Sequence, residues 1–219
     1  PVHTSPPNSR RRAVLAARRT KKGAMAGFYA RGSETIIEIP DCHLLHPDLM
    51  AALPLAENLA IEGTSRKAAL AVIVTLSLGG LDVAVCGGKL LDGPLRIMLA
   101  GLSEKHDLAR LAWDGEIVVI RRPPQQKFGP AVVTPPPGAF LQATEEGEAA
   151  LLAETESILR DASCIVDLFA GCGTFALPLA RRAPVHAVEG DAAMTEALDV
   201  GWRHAQGLKP VTSEARDLF

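Results

Sequence analysis

The sequence predicts an α/β protein whose C-terminal part is the first half of a doubly wound parallel sheet, preceded by a smaller α/β domain. Three observations predict this fold. Strand and helix patterns alternate from Cys164 onward, glycines follow the first of these strands, and six prolines in residues 123–137 mark a boundary before them. Strands that alternate with helices of this length form parallel sheets. The predicted regions are a basic N-terminal segment (1–31), a central α/β domain (32–122), a Pro-rich connection (123–142) and the partial parallel-sheet domain (143–219).

Before the prolines, short apolar runs predict strands, and apolar residues at helical spacing predict helices. Gly79 and Gly80 separate two apolar runs, which is typical of a hairpin. The predicted elements are strands at 11–18, 24–30 and 34–39, a helix at 46–60, a hairpin of 67–77 with 81–86, a helix at 95–109 and a strand at 116–120.

After the prolines, the pattern predicts a helix at 144–160, a buried strand at 164–169, a glycine turn and a helix that ends near Arg182. A second strand at 184–188 ends at Glu189, and a third strand begins near Pro210. Between them, Asp191 is expected to cap a helix and Gly207 to terminate it in the left-handed conformation.

Positive charge is concentrated near the N-terminus. Residues 1–31 contain eight Lys or Arg and no acidic residue, although the whole chain has a net charge of -2. Such asymmetry indicates a segment that contacts a polyanion. A solvated basic arm without a partner is the alternative interpretation.

Composition narrows the class of protein. Hydrophobic residues make up 47% of the chain, enough for a core, and no apolar run reaches the roughly 18 residues of a membrane span. The proline-rich and then basic start does not have the pattern of a secretory leader. The four cysteines contain no CxxC pair and are expected to be reduced thiols. We therefore expect a soluble, cytoplasmic protein.

The segment 166–174, with the sequence VDLFAGCGT, contains the most informative motif. Gly171 and Gly173 lack the Cβ atoms that would obstruct a ligand or cause strain at positive φ. The next helix directs free N–H groups toward this turn. Glu189, 16 residues past Gly173, ends the second strand, where a carboxylate can accept hydrogen bonds from a ribose diol. The motif predicts an adenosine-containing ligand.

Two ligands fit glycines at this spacing. The string that runs from Gly171 to Ala176 also matches the dinucleotide fingerprint GxGxxG/A, so an NAD-dependent dehydrogenase stays open. Asp167 at the strand end and the bulky Phe169 and Phe175 around the turn favour S-adenosylmethionine, which carries no pyrophosphate. The pattern DLFxGxG resembles the first motif of class I (Rossmann-like) methyltransferases.

The longer string DLFAGCGTFALPLA, which starts at Asp167, resembles the RNA uracil-5-methyltransferase family, whose members modify 23S ribosomal RNA and transfer RNA. Residues 137–142 are similar to the family's P-x-x-F-x-Q segment, and residues 27–42 are more loosely similar to another family stretch. The resemblance implies S-adenosylmethionine contacts at Gln142, Phe169, Thr174, Glu189 and Asp217, besides Asp167, Gly171 and Gly173 of the turn. The family often has Asn at the position of Thr174, which is a departure.

The resemblance also implies an activity: methyl transfer to C5 of a uridine in RNA, most simply 23S ribosomal RNA, through a cysteine–uracil adduct. The family's catalytic residues have no match in this chain, so we expect a fragment without turnover of its own, whose exposed third-strand edge favours a dimer. The basic residues expected to contact RNA are Arg10, Arg11, Arg12, Arg18, Arg19, Lys21 and Lys22.

Cys42 resembles the last of the four cysteines that hold a [4Fe-4S] cluster in many family members. No CxxC precedes it here, so Cys42 would be an orphan ligand in this chain. A metal site with His43 and His46 is a weaker alternative, since such a pattern without further ligands is more often structural. One further functional alternative is a methyltransferase that acts on another RNA base, on a protein or on a small molecule. Another is a non-catalytic polypeptide that retains only a binding function.

Overall fold

The computed structural model describes residues 2–219, and the chain divides into two units. The first comprises Ser5–Pro124 with Ala143–Glu145, and the second comprises Gln125–Gln142 and Glu146–Phe219, together with residues 2–4. The elements of the first unit are β1 (Arg12–Arg19), β2 (Ala24–Tyr29), β3 (Ile36–Glu38), α1 (Pro47–Met50), α2 (Ala52–Gly63), β4 (Ala69–Ser77), β5 (Gly80–Cys86), α3 (Gly93–Lys105), β6 (Arg110–Trp113) and β7 (Glu116–Ile120).

The first unit is built on a seven-stranded sheet in the order β3-β2-β1-β4-β5-β6-β7. All neighbouring strands are antiparallel except β5 and β6, which α3 connects as a crossover. In β1 the side chains of Ala13 and Leu15 enter the core, whereas Val14 between them is exposed. This period of two is typical of a β-strand and places one face of β1 on the core. Residues 1–31, expected as a separate segment, thus contribute two strands to this sheet.

One aromatic side chain fixes the packing between α2, β5 and β6. Trp113 is buried, and its indole N–H donates to the carbonyl oxygen of Lys89 at 2.9 Å. A Cβ atom at Gly63 or at Gly88 would lie 2.0 Å from the Trp113 ring. Both positions therefore require glycine because the ring fills the space of a side chain.

A buried ion pair lies on the other face of this sheet. Arg110 on β6 is the direct neighbour of Asp82 on β5, and its Nε and Nη2 atoms donate to the two Asp82 oxygens at 2.8 and 2.7 Å. Burial raises the pKa of Asp82, and the hydrogen bonds and charge of Arg110 oppose that rise. The pair is bidentate, the geometry in which a guanidinium best compensates a buried carboxylate.

The second unit contains β8 (Gln126–Phe128), β9 (Ala131–Val133), α4 (Glu145–Ile158) except its first residue, β10 (Ile165–Leu168), α5 (Ala176–Leu179), β11 (Val185–Glu189), α6 (Ala192–His204) and β12 (Val211–Ala215). β10, β11 and β12 form a parallel sheet in that order. Asp191 caps α6 by accepting from the N–H groups of Ala193 and Met194, as the sequence predicts. Gly207 has a φ of 74°, the expected left-handed conformation, but α6 already ends at His204 with Ala205 as an extended C-cap, so Gly207 does not terminate the helix.

Several elements differ from the sequence-based expectation. The Pro-rich connection contains a short hairpin, β8 and β9, which was not predicted. The strand expected to be buried is β10, but Val166 and Leu168 are 62% and 53% exposed because they lie on an open face of the sheet. The helix after the glycine turn is only four residues long. Within residues 2–219, no helix is both long enough and apolar enough to cross a membrane.

Removal of the Arg110 guanidinium tests the buried ion pair. Arg110→Met leaves the Asp82 carboxyl buried without its partner, and we expect it to lower the free energy of unfolding by about 3–5 kcal/mol. The measurement is urea unfolding followed by Trp113 fluorescence in a Trp202→Phe background, so that the signal reports the first unit. The matched control is the double variant with Asp82→Leu, which should recover most of the loss. A single variant as stable as the unaltered chain would contradict this prediction.

Candidate functional site

The candidate site lies where the parallel strands of the second unit end. Strand pairing places Leu168 beside Val188 and Glu189 beside Ala215, so the C-terminal ends of β10, β11 and β12 lie along one edge. Ligands of open α/β sheets bind at this edge. The glycine turn follows β10 directly and is anchored to β11, because the N–H of Ala170 donates to the carbonyl oxygen of Val188 at 3.1 Å.

The two glycines of the turn have different requirements. A Cβ atom at Gly173 would lie 2.8 Å from atoms of Leu177 and 2.9 Å from Leu198, so this position is fixed by packing. At Gly171 the φ of 56° favours glycine, but a Cβ atom there would meet no atom within 4 Å. The backbone at Gly171 is therefore approachable from outside, which suits a turn that closes around a ligand.

Glu189 contacts the turn directly. One carboxylate oxygen accepts from the N–H of Gly171 at 2.8 Å, and the other accepts from the N–H of Asp191 at 3.1 Å. The side chain is half-buried at the end of β11 and does not enter the core. The carboxylate is thus held by two backbone groups in a fixed orientation at the edge of the sheet, where further lone pairs can accept from a hydroxyl.

A second carboxylate lies next to Glu189. Burial, together with the negative charge of Glu189, raises the pKa of Asp167 to about 6, although a backbone hydrogen bond from Ala176 acts in the opposite direction. In residues 2–219, the Asp167 Oδ2 atom is one of three buried side-chain N or O atoms without a hydrogen-bond partner. Two acids with one unpaired oxygen create a negative region that suits a cationic group.

Aromatic groups border the same edge. Phe169 has a φ of 60° and is 58% exposed, a strained conformation for a bulky side chain. Its ring contacts that of Phe219 with the centroids 5.4 Å apart. Asp217 accepts from the N–H of Phe219 at 3.0 Å, and the neighbouring Arg216 N–H donates to the carbonyl oxygen of Glu189. Phe219 was not among the predicted site residues, since nothing in its local sequence distinguishes it.

The structure brings most of the predicted cofactor contacts to this edge. Asp167, Phe169, Gly171, Gly173 and Glu189 belong to one connected group through the contacts above. Thr174 follows the turn and is half-buried. Gln142 is half-buried near the end of the segment before α4, and its predicted contact with the cofactor stays a prediction.

The basic residues of the N-terminal segment are not equivalent. Arg11 is buried and pairs with Glu145 at 3.4 Å, so its charge supports the fold and is not presented to a partner. Arg12 is half-buried, and burial together with the charge of Arg10 lowers the pKa of its guanidinium. The residues with exposed side chains are Arg10, Arg19, Lys21 and Lys22, and Arg18 is half-buried.

Cys42 is half-buried at a surface cavity lined also by Asp41, His43 and Met50. Across the described residues, 2–219, no group of three or more His, Cys, Asp or Glu side chains is arranged to hold a metal ion. The observed geometry gives no support to a metal site at His43 and His46.

The chain is similar along its length to bacterial proteins named as uncharacterised RNA methyltransferases. It is 47% identical over 215 residues to one from Mesorhizobium japonicum, and 43% identical over 219 residues to one from Brucella suis. These alignments cover 97% and 100% of this chain, and 52% and 53% of the relatives. The predicted resemblance to RNA methyltransferases is confirmed. The chain spans about half the length of the curated relatives it matches.

Two further comparisons refine this result. A 23S rRNA (uracil-C5)-methyltransferase of Shewanella piezotolerans is 31% identical over 214 residues, which cover 92% of this chain and 48% of that protein. Among solved structures, the Pyrococcus abyssi tRNA (uracil-54, C5)-methyltransferase in complex with S-adenosyl-L-homocysteine superposes with a TM-score of 0.72 at 17% identity, over 96% of this chain and 55% of that one. This likeness confirms the predicted fold class. No family model matches the chain.

The raised pKa of Asp167 predicts a pH-dependent stability. Because protonated Asp167 is favoured in the folded state, its stabilising contribution is complete below about pH 4 and is lost as pH rises through about 6. Asp167→Asn keeps an acceptor for the Ala176 N–H but removes the charge. We expect the free energy of unfolding of the variant minus that of the unaltered chain, measured by urea unfolding, to increase between pH 4 and pH 7. A constant difference over that range would show that burial does not disfavour the charged carboxyl.

Proposed function

We propose that this chain binds S-adenosylmethionine at the ends of β10 and β11, and that the longer protein to which its relatives correspond transfers the methyl group to RNA. The observation that carries the cofactor assignment is the pair of acids beside the glycine turn. Glu189 accepts a hydrogen bond from the Gly171 N–H, and the neighbouring Asp167 has a buried oxygen without a hydrogen-bond partner. S-adenosylmethionine has a sulfonium and an ammonium group, and its bound methyl group is the electrophile of the transfer.

The charge of the site separates this ligand from a dinucleotide. A dinucleotide places two phosphate charges at the glycine turn, and these would be repelled by Asp167, whereas Glu189 at the end of the second strand suits the ribose of either ligand. A cationic ligand instead relieves the repulsion between the two carboxylates, which contributes to the raised pKa of Asp167. Asp167 therefore favours S-adenosylmethionine over a pyrophosphate.

Each residue of the site has a separate role in this proposal. Glu189 accepts hydrogen bonds from the ribose hydroxyls, and the open backbone at Gly171 allows the ligand to approach. The exposed ring of Phe169 forms an apolar wall, and Asp217 lies at the end of β12 where the adenine is expected. Thr174 and Gln142 complete the set of proposed contacts. These residues bind and orient the cofactor.

The proposed acceptor is RNA, and within RNA the C5 atom of a uridine in 23S rRNA, modified through a cysteine–uracil adduct. The names of the relatives support RNA, and the name of the Shewanella relative supports uracil C5. The motif that begins at Asp167 supports the same family. Methyl transfer to another RNA base is the alternative closest to this proposal.

Calorimetric titration with S-adenosylhomocysteine tests the cofactor site. Glu189→Gln removes a charge-assisted hydrogen bond, which is worth about 1.5–3 kcal/mol, so we expect the affinity to fall by roughly 10- to 100-fold. The matched control is Glu196→Gln, which neutralises an exposed carboxylate on α6 away from the turn. Affinity in the control should match that of the unaltered chain.

A parallel titration with NAD separates the two cofactor classes. We expect no binding of NAD at concentrations that saturate the chain with S-adenosylhomocysteine. Tighter binding of NAD than of S-adenosylhomocysteine would overturn the proposal and favour a dehydrogenase.

A further inference from the structure

The turn between β1 and β2 presents a group of positive charges at one end of the seven-stranded sheet. Arg19 pairs with Ala24, and the turn between them is closed by a hydrogen bond from the Thr20 N–H to the carbonyl oxygen of Gly23 at 2.8 Å. Lys21 and Lys22 occupy the tip and are exposed. A short closed turn therefore holds these charges at a fixed place, unlike a flexible arm.

A second basic segment reaches the same end of the sheet from elsewhere in the sequence. β4 runs antiparallel to β1, and Ala69 at its start is the direct neighbour of Arg18 at the end of β1. Arg66 and Lys67 come just before Ala69 and are exposed. The Ser65 hydroxyl accepts from the Lys67 N–H at 3.3 Å, which shapes this segment into a turn. Because neighbouring strands lie about 4.8 Å apart, the two turns are adjacent.

The six basic residues from these two turns form what we name the basic sheet end. It comprises Arg18, Arg19, Lys21, Lys22, Arg66 and Lys67. Arg18 is half-buried at the end of β1 and adds its positive charge to this end of the sheet, although its Nε atom is itself buried and, among residues 2–219, has no hydrogen-bond partner.

Nearby acids do not neutralise this surface. Asp114 follows β6, and its two oxygens accept from the N–H groups of Gly87 and Gly88 at 2.7 and 3.2 Å. Its charge is thereby directed to the backbone after β5. Glu62 on α2 is the nearest acid in sequence to Arg66 and is exposed. Glu116, at the start of β7, is paired with Arg96, and Glu38 is exposed opposite Gly27 of β2. The six cationic groups outnumber these carboxylates, which leaves a positive surface.

We propose that the basic sheet end binds the phosphate backbone of RNA, and this inference rests on the RNA acceptor of the proposed function. Most of the positive side chains are exposed on two neighbouring turns, an arrangement that suits an extended polyanion better than a small anion. A repeating phosphate backbone meets several such charges at once and gains affinity from counterion release. The surface thus positions RNA through contacts that carry no sequence information.

The structure changes which residues are assigned to RNA. The charge run in residues 10–22 suggested one continuous basic segment, but Arg11 is paired inside the fold. Arg66 and Lys67 lie more than forty positions from that run, and only the pairing of β1 with β4 reveals that they belong to the same surface. A basic arm acting alone predicts no role for Arg66 and Lys67.

Salt-dependent binding of a fluorescently labelled single-stranded oligouridylate to the 219-residue chain tests this inference. Two double variants are compared: Lys21→Gln with Lys22→Gln, and Arg66→Gln with Lys67→Gln. Each lost phosphate contact lowers the slope of log K against log salt by about 0.7, so each double variant should lower it by about 1.4. The matched control, Lys127→Gln with Arg160→Gln, removes two exposed charges from the second unit and should leave the slope unchanged. Urea unfolding followed by Trp113 fluorescence verifies that the first unit is intact in each variant.

Each outcome has a distinct meaning. Equal losses in the two double variants, with none in the control, support the basic sheet end. A loss confined to the Lys21 and Lys22 variant, or a loss of the same size in the control, overturns it and leaves the proposed function intact. If the unaltered chain binds S-adenosylhomocysteine but not RNA, this inference is overturned and the cofactor assignment stands. If it binds RNA at this surface but not S-adenosylhomocysteine, the cofactor assignment fails and the inference stands.

Discussion

The parallel pairing of β10 with β11 is the constraint on which the candidate site depends. Their register places the start of the glycine turn beside Val188 and brings Glu189 within 2.8 Å of the Gly171 N–H. The same pairing brings the charge of Glu189 close enough to Asp167 to contribute to its raised pKa. A shift of one residue in this register would send Glu189 to the opposite face of the sheet. The arrangement of side chains at the proposed cofactor site is therefore a consequence of strand register.

Much of this edge was predictable because its signals are local. Glycines at positive φ, a strand before them and an acid after the next strand all follow from short-range sequence patterns. Burial of β10 was mispredicted because an apolar run does not report how many faces of a sheet are covered. Val166 and Leu168 lie on the face that the described residues leave open. The hairpin of β8 and β9 was missed because the prolines around it obscure two three-residue strands, although Gly129 and Pro130 carry a turn signal.

The distribution of positive charge is a second case in which local sequence patterns do not reveal the three-dimensional arrangement. A run of basic residues looks uniform in sequence, but its members meet different surroundings in the folded chain. Arg11, just before β1, is buried against Glu145, whereas Arg19 at the other end of the strand is exposed. Long-range pairing then adds Arg66 and Lys67, which no local pattern can supply. From the sequence alone, a negatively charged partner can be predicted, but the set of residues that would contact this partner cannot.

The buried Asp82 and the half-buried Asp167 differ in how the surrounding structure compensates their charge. Asp82 has a bidentate partner in Arg110, and both its oxygens are satisfied. Asp167 has no such cation, keeps an unpaired Oδ2 atom and lies beside another acid and the strained Phe169. A scaffold under selection for stability alone would pair or replace such a group, since an unsatisfied buried carboxylate destabilises the fold. Several departures from local stability thus meet at one strand edge, and the proposed cationic ligand would compensate them.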